Sequence, residues 1–274
     1  MVVGRRTSGF ILLAFCVAAS CEPTLGQSRP SPDAKLKHPS SLCAVIHPSD
    51  ADIAWECRQI GKGETLERLF GKRWVDVARF NRVDRRHAYH GVRIKVPRRL
   101  EEIANFTPLP PEYPPAKTDE QFILIDLAEQ FLGAYEYGSL RFSMPVTTGE
   151  AGNETPTGLF RITALHRQHK SCLYTIEGTD TPYPMNYALH FFVTREGVSY
   201  WIHGRDVPGY PASHGCVGLY DEAMQKEYYG VPQDPELDDA KRLYEWVLGN
   251  RRDDGKVLLV EDGPKILIRG AAPR

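Results

Sequence analysis

The sequence predicts a mainly β protein with a small α+β module, and two patterns carry that prediction. Residues 120–270 hold a series of short segments in which apolar and polar residues alternate, separated by turns rich in Gly, Asn and Asp. Residues 43–100 instead combine two short alternating segments with apolar residues at helical spacing. We therefore expect a β-rich sandwich or barrel preceded by a compact βααβ unit.

The composition is that of an ordinary soluble protein. Of 274 residues, 42% are hydrophobic and 25% are charged, and the formal net charge is −1. Near-neutrality excludes a basic signature for nucleic acid over the whole chain. Residues 58–99, however, carry 13 Lys and Arg against 4 Asp and Glu, which favours an anionic partner such as a cell-wall or membrane surface.

The N-terminus has the features of an export signal. Arg5 and Arg6 precede an apolar segment, 9–19, that is too short to cross a bilayer, and small residues follow it. We expect a signal peptide at residues 1–20 and an exported protein of the periplasm or cell envelope. "VAASC" resembles a bacterial lipobox, so Cys21 is either lipidated or lies beside an ordinary cleavage site. Residues 21–42, rich in Pro, Ser and charge, are predicted to form a flexible tether.

The other five cysteines fall into three groups. Cys16 lies within the predicted signal peptide. Cys43 and Cys57 flank a short segment and would close a small disulfide loop in an oxidising compartment, although the sequence leaves their pairing open. Cys172 and Cys216 remain, and a bridge between them is an alternative to a free, reactive Cys216.

The small module, 43–100, is predicted as strand, helix, helix and strand. A Gly-Lys-Gly turn follows the first strand, and Glu64-Thr65 begins a helix with an apolar face. The second helix covers 74–80, and the last strand, 92–97, ends at a proline. Five prolines between 105 and 119 predict a stiff, extended linker, 101–119, to the larger module.

The larger module, 120–270, is predicted to be mainly antiparallel. It opens with a hairpin in "QFILIDLAEQFLGAYEYGSL" and closes with a second hairpin around Asp-Gly in "KVLLVEDGPKILIRG". One helix is expected at 238–248, where apolar residues recur on one side.

The small module resembles a LysM domain, a βααβ unit that binds peptidoglycan. The resemblance is carried by "GKGETLERLFG", "WVDVARFNRV" and "GVRIKVP". It implies a shallow groove for glycan strands between the loop after the first strand and the loop before the last. The implied glycan-binding residues are Gly63, Glu64, Thr65, Asn81 and Arg82.

The segment "WIHGRDVPGYPASHGCVGLY" carries the chemistry. A thiol is a few per cent ionised at neutral pH, so a nucleophilic Cys216 needs a neighbouring base such as His203. Three interpretations compete: buried structural residues, a zinc site of His203, His214 and Cys216, and nucleophilic Cys–His catalysis. The third is favoured, because no further residue completes a familiar zinc-ligand spacing.

The same segment resembles the signature of the L,D-transpeptidase catalytic domain through "IHG" and "PASHGCVGL". "FILIDLAEQFLGAYEYG" and "PVTTGEAGNETPTGLFRI" resemble the opening hairpin and the substrate-facing loop of that family. The resemblance implies a β-rich fold that needs no metal or cofactor. It implies Cys216 as nucleophile, His203 as general base, the Gly204 carbonyl as its orienter, Ser213 and His214 as pocket residues, and the Gly215 and Cys216 amides as an oxyanion hole.

One position departs from the family pattern. The family places an arginine two residues after the cysteine, where this chain has Gly218. Arg205, beside His203, is the candidate to replace its charge and to bind a substrate carboxylate. If nothing replaces it, the site is catalytically impaired and the protein only binds the wall.

The expected reaction is cell-wall transpeptidation. Cys216 would cleave the bond between the diaminoacid and the terminal D-Ala of a stem tetrapeptide, and pass the acyl group to an amine of a second stem or of a lipoprotein lysine. The expected partners are peptidoglycan stem peptides and glycan strands. The alternatives are an L,D-carboxypeptidase that uses water, an impaired peptidoglycan-binding protein and a zinc hydrolase.

Overall fold

The structure is a computed structural model that describes residues 40–273, which belong to one compact unit of the chain. The predicted signal peptide, Cys21 and nearly all of the predicted tether lie outside the described residues. Between residues 40 and 273 no helix combines the length and the apolar character that crossing a bilayer demands.

The small module has the predicted βααβ order. Its elements are β1 (Trp55–Gln59), α1 (Leu66–Phe70), α2 (Trp74–Asn81) and β2 (Arg93–Pro97), and β1 pairs with β2 antiparallel. Thr65 caps α1 because its hydroxyl accepts a hydrogen bond from the Arg68 N–H at 3.3 Å. A disulfide joins Cys43 to Cys57, which settles the pairing that the sequence left open.

Two five-stranded sheets form the larger module. The first has the order β5-β4-β3-β12-β6 and the second the order β10-β9-β8-β7-β11. The strands of the first are β3 (Phe122–Asp126), β4 (Phe131–Glu136), β5 (Ser139–Pro145), β6 (Gly158–Arg161) and β12 (Lys265–Arg269). Those of the second are β7 (Ala164–Thr175), β8 (Pro182–Val193), β9 (Ser199–Gly204), β10 (Val217–Leu219) and β11 (Leu258–Leu259).

The main core lies between these sheets, as in a β-sandwich. Alternate residues of both sheets meet there, among them Ile123, Ile125, Leu165, Leu189, Ile202 and Val217. Helix α4 (Asp239–Leu248), predicted from its apolar spacing, packs on the same core through Leu243, Tyr244 and Val247. The mainly β fold with a small α+β module is therefore confirmed.

One local prediction is wrong, and one helix was not predicted. The closing segment is not a hairpin, because β11 pairs with β7 while β12 pairs with β3 and β6 in the other sheet. Helix α3 (Glu222–Tyr229) was not predicted, since "EAMQKEYY" has no continuous apolar stripe. It is fixed instead at its N-terminus, where Asp221 Oδ1 accepts a hydrogen bond from the Met224 N–H at 3.0 Å.

The proline-rich linker lies on the outer face of β3 and β4. Leu109 and Ala116 are buried there against Phe122 and Phe131. Tyr135 donates its hydroxyl to the Pro110 carbonyl at 2.9 Å. The linker therefore connects the modules as a bound strap and not as an extended spacer in solvent.

Candidate active site

Strand pairing brings the predicted catalytic residues together. β9 and β10 run parallel, with Val217 opposite Ile202 and Gly218 opposite His203. Val217 and Ile202 point into the core. Cys216 directly precedes β10 and packs against Trp201, and Trp201 shares its face of β9 with His203 because side chains alternate along a strand. The chain between His203 and Cys216 forms the 205–213 loop.

His203 is held as a neutral base. It is 3% exposed, and its Nδ1 lies 2.8 Å from the Gly204 carbonyl oxygen. A carbonyl can only accept, so Nδ1 carries the proton and Nε2 keeps its lone pair. Burial, aided by the positive charge of Arg205, lowers the pKa of His203 to about 3. The predicted orienting role of the Gly204 carbonyl matches this contact.

Cys216 is a free, partly buried thiol, whereas Cys172 is disulfide-bonded, so the two are not paired with each other. Burial raises the pKa of Cys216 above its usual value, while a backbone hydrogen bond at Trp201 and the charge of Arg205 act in the opposite direction. The resting site therefore pairs a neutral thiol with a neutral imidazole.

The turn before Cys216 is fixed by Ser213 and Gly215. Ser213 Oγ donates to the Cys216 carbonyl at 2.6 Å and accepts from the Gly215 N–H at 3.0 Å. That second bond already uses the Gly215 amide, so it competes with the predicted role of this amide in an oxyanion hole. Thr155, which sequence reasoning missed, donates its hydroxyl to the Gly215 carbonyl at 2.9 Å.

His214 lies at the surface of the site. Its ring stacks on Tyr174, with centroids 4.3 Å apart. Burial lowers the pKa of His214, Glu150 opposes this and Arg205 adds to it. Within residues 40–273, His203, His214 and Cys216 do not bring three ligand atoms within 4.8 Å of one another, as a closed zinc site requires. The structure thus favours the Cys–His interpretation over the zinc site.

Comparison with known proteins decides the family. The sequence model of the YkuD family, the L,D-transpeptidase catalytic domain, matches residues 120–259. The chain belongs to this family. A search of the curated proteins finds no match.

Several solved structures are similar to this L,D-transpeptidase domain. For the L,D-transpeptidase (Yku) of Stackebrandtia nassauensis, identity is 20%, coverage is 74% of this chain and 69% of that chain, and the TM-score is 0.40. For residues 123–326 of the L,D-transpeptidase of Xylanimonas cellulosilytica DSM 15894, identity is 18%, coverage is 79% of this chain and 98% of that chain, and the TM-score is 0.40. For L,D-transpeptidase 1 of Mycobacterium tuberculosis, identity is 17%, coverage is 55% of this chain and 62% of that chain, and the TM-score is 0.35. This chain therefore spans less than two thirds of that protein. The family assignment rests on the match at 120–259.

In this L,D-transpeptidase domain, Arg205 lies beside Gly218, the position that departs from the expected family pattern. Its side chain packs over Gly218, and its Nη2 donates to the Ala212 carbonyl at 3.2 Å. Its Nε is buried and has no hydrogen-bond partner among the described residues. The guanidinium thus keeps a free donor near Cys216 and His203.

The predicted glycan-binding residues divide into two groups. Gly63 is exposed at a left-handed turn, beside Thr65, which caps α1, and Glu64, which accepts from the Gly61 N–H at 2.7 Å. The prediction for Asn81 and Arg82 as glycan ligands is wrong, because both are buried, at 3% and 0% exposure.

Internal partners hold both of these side chains. Arg82 donates to Ser49 Oγ at 3.0 Å and to Glu129 Oε2 at 3.1 Å, where Glu129 belongs to the larger module. Asn81 donates to the Lys95 carbonyl at 2.8 Å. Sequence reasoning missed this burial because it assumed that the small module stands free of the larger one.

Proposed function

We propose that this protein is a cell-wall L,D-transpeptidase with Cys216 as nucleophile and His203 as general base. One observation carries the proposal: His203, whose Nε2 keeps its lone pair, shares its face of β9 with Trp201, and the free Cys216 packs against Trp201. The family implies stem peptides of peptidoglycan as substrates.

The reaction has two acyl-transfer steps. His203 Nε2 takes the thiol proton as sulfur attacks the carbonyl between the diaminoacid and the terminal D-Ala. The C–N bond then breaks, the D-Ala amine leaves with that proton, and a thioester remains on Cys216. An incoming amine attacks the thioester, His203 accepts its proton, and the thiol is restored as the new amide forms. A thioester keeps the acyl group reactive, so the transfer needs no nucleotide.

Arg205 is proposed to bind a carboxylate of the donor stem peptide. Its buried Nε has no partner among the described residues, and a guanidinium pairs strongly with a carboxylate. Its charge also favours the thiolate of Cys216 over the thiol. In this view Gly218 does not mark a decayed site, because Arg205 supplies the missing charge.

We further propose that the protein acts in the periplasm or cell envelope. The Cys43–Cys57 disulfide supports an oxidising compartment, and the exposed turn at Gly63 is proposed to touch glycan strands. The signal peptide, the lipidation of Cys21 and a lipoprotein as acceptor stay predictions from the sequence.

The decisive experiment follows D-Ala release from a soluble stem tetrapeptide. Cys216→Ala should abolish release, and His203→Gln should lower kcat on the order of a hundredfold or more. His190→Gln is the matched control, because His190 is a half-buried histidine of β8 whose Nδ1 bonds to Thr163 Oγ1 at 2.7 Å. Full release by Cys216→Ala would reject the proposal. Mass spectrometry with and without an added amine then separates the transpeptidase from the carboxypeptidase.

A further inference from the structure

The 205–213 loop is bonded to the small module. The Asp84 N–H donates to the Val207 carbonyl at 2.8 Å, and the Val207 N–H donates back to Asp84 Oδ2 at 2.7 Å. Next along the chain, Val83 and Pro208 form an antiparallel bridge. The loop that joins the two proposed catalytic residues is thus paired, backbone to backbone, with residues that follow α2.

Packing reinforces these bonds. Val207 is fully buried within the hydrophobic cluster of the small module, together with Val77 and Phe80. Gly209 lies against the same module, since a Cβ there would stand 2.7 Å from Leu42 Cδ1. The middle of the loop therefore has no room to move away from the small module without opening a buried surface.

Asp84 is the centre of this contact. Its side chain is fully buried and accepts four hydrogen bonds, from the N–H and Nδ1 of His87, the N–H of Val207 and Nε2 of Gln225, at 2.7 to 2.9 Å. Burial alone would raise the pKa of Asp84, but the charge and hydrogen bonds of His87, with the Val207 bond, lower it overall. Two of the four bonds come from His87 of the small module, and the other two come from Val207 and Gln225 of the larger module.

Asp84, His87 and Asp206 also form a group with ligand-type atoms within 4.8 Å of one another. The carboxylate of Asp84 is already satisfied by its four donors. Asp206 accepts from Gln225 at 2.8 Å and from Arg86 at 3.1 Å. These oxygens are used to join the modules, so the group carries no argument for a metal site.

Both ends of the loop are anchored within the catalytic domain. The N–H groups of Ala212 and Ser213 both point to the Thr148 carbonyl at 3.0 Å, and the Arg205 N–H donates to the Leu219 carbonyl at 3.0 Å. Arg205 begins the loop, and Ser213 ends it at the turn before Cys216. The Asp84 contact fixes the middle of a segment whose two ends carry proposed site residues.

We propose that Asp84 is a positioning residue of the active site, which acts through the Val207 N–H to hold the 205–213 loop in its reactive arrangement. The proposal rests on the function proposed above. It makes the small module part of the catalytic unit and not a detachable anchor. Displacement of reacting groups by about 1 Å can cost as much as a hundredfold in rate, so a loosened loop has a measurable effect.

The test compares Asp84→Asn with Asp239→Asn. Asp239 is also buried between the modules, where it pairs with Arg79 at 2.6 Å, but neither residue has a bond to the loop among those found in the structure. Asparagine keeps the size of the side chain and removes its charge. Thermal unfolding of both variants shows how much stability each loses, and kinetics are measured where both stay folded.

We expect Asp84→Asn to lower kcat for D-Ala release about tenfold with little change in KM. Hydrogen exchange of a peptide covering 205–213 should accelerate in this variant. Asp239→Asn should keep the kcat and the loop exchange of the wild type. Unchanged exchange in Asp84→Asn, or faster exchange with an unchanged kcat, would overturn the proposal.

Two further measurements keep the test decisive. If Asp84→Asn does not fold, His87→Gln takes its place, because it removes the hydrogen bond from His87 Nδ1 to Asp84. This variant should also lower kcat, and an unchanged kcat would overturn the proposal. If the wild type releases no D-Ala, the proposed function fails by itself. The rate of Cys216 alkylation by iodoacetamide then replaces kcat, and equal rates in Asp84→Asn and Asp239→Asn overturn the positioning role.

Discussion

The side chain of Arg205 fills the space above Gly218: a Cβ at position 218 would lie 2.1 Å from both Cγ and Cδ of Arg205. The two residues are therefore complementary, since an arginine at 205 in this pose requires a glycine at 218. The resemblance to the family led us to expect an arginine two residues after the cysteine, where this chain has Gly218. We propose that Arg205, which directly follows β9, supplies the positive charge that was expected at position 218.

An exchange of the two residues tests this relationship. Gly218→Arg alone should destabilise the protein by about 1–3 kcal/mol, because the new side chain overlaps Arg205. Arg205→Gly alone should keep the fold but lose at least about tenfold in kcat/KM for stem peptides, since the proposed charge-assisted contact to the substrate is removed. The double variant should recover much of both losses. Urea unfolding and D-Ala release measure the two effects.

Additivity would contradict this interpretation. If the double variant is as unstable and as slow as the sum of the single variants predicts, the two positions do not share one role. Arg195→Gly, an exposed position in the β8–β9 connection, serves as the control for losing an arginine in the same domain.

The thiol of Cys216 should react faster as pH rises, with a midpoint above that of an ordinary cysteine. Burial is the largest cause of its raised pKa, and the charge of Arg205 partly offsets it. Arg205→Gln removes the offset, so the pKa of Cys216 should rise further and the alkylation profile should move to higher pH. Iodoacetamide alkylation followed by mass spectrometry gives the profile. A shift to lower pH, or the same shift in Arg195→Gln, would contradict the electrostatic role of Arg205.

Local sequence signals predicted which segment carries the candidate site. The order His203, turn-rich loop and Gly215-Cys216 is visible in one segment, and the pairing of β9 with β10 adds only the register that brings its two ends together. Thr155 and Tyr174 could not be predicted, because their contacts with Gly215 and His214 join distant parts of the chain. No local pattern in one sequence encodes such a contact.

In the fold, too, local features could be predicted and contacts between distant residues could not. Alternation predicted most of the strands but not β10, and helical spacing predicted α2 and α4. The assignment of β11 and β12 to different sheets could not be predicted from the Asp-Gly turn between them. Turn residues determine the local path of the chain, whereas strand pairing depends on residues far away in the sequence. Arg82 was misjudged for a related reason: a charged residue is normally exposed, and its burial depends on Glu129 in another module.

Gly215 should be irreplaceable for two separate reasons. Its φ is +110°, and a Cβ there would lie 2.4 Å from Cε1 of Tyr200. Gly197 offers a matched control, because its φ is +87° and a Cβ there meets nothing within 4 Å. Gly197→Ala should cost about 1–2 kcal/mol from backbone strain alone. Gly215→Ala should cost more than this and should also slow D-Ala release, because the turn that carries Cys216 must shift. Equal losses of stability in the two variants would show that the Tyr200 contact relaxes freely.

His47 should make the protein sensitive to acid. Burial, with the charges of Arg82 and Lys95, lowers its pKa in the folded protein to about 2, from 6.5. The unfolded chain therefore takes up a proton below pH 6.5 that the folded protein does not. The stabilisation is complete above pH 6.5 and falls as pH drops toward 2, by about 1.4 kcal/mol per pH unit.

His47→Gln removes this titration and keeps a donor for the Ala128 carbonyl, which lies 3.0 Å from Nδ1. Its stability relative to the wild type should improve steadily between pH 6.5 and pH 4, measured by urea unfolding at each pH. His90→Gln, at an exposed histidine, should follow the wild type throughout. The difference between the two variants isolates His47, because all carboxylates are common to both. A constant difference across this range would mean that His47 is protonated in the folded protein, and that Arg82 and Lys95 tolerate a third positive charge beside them.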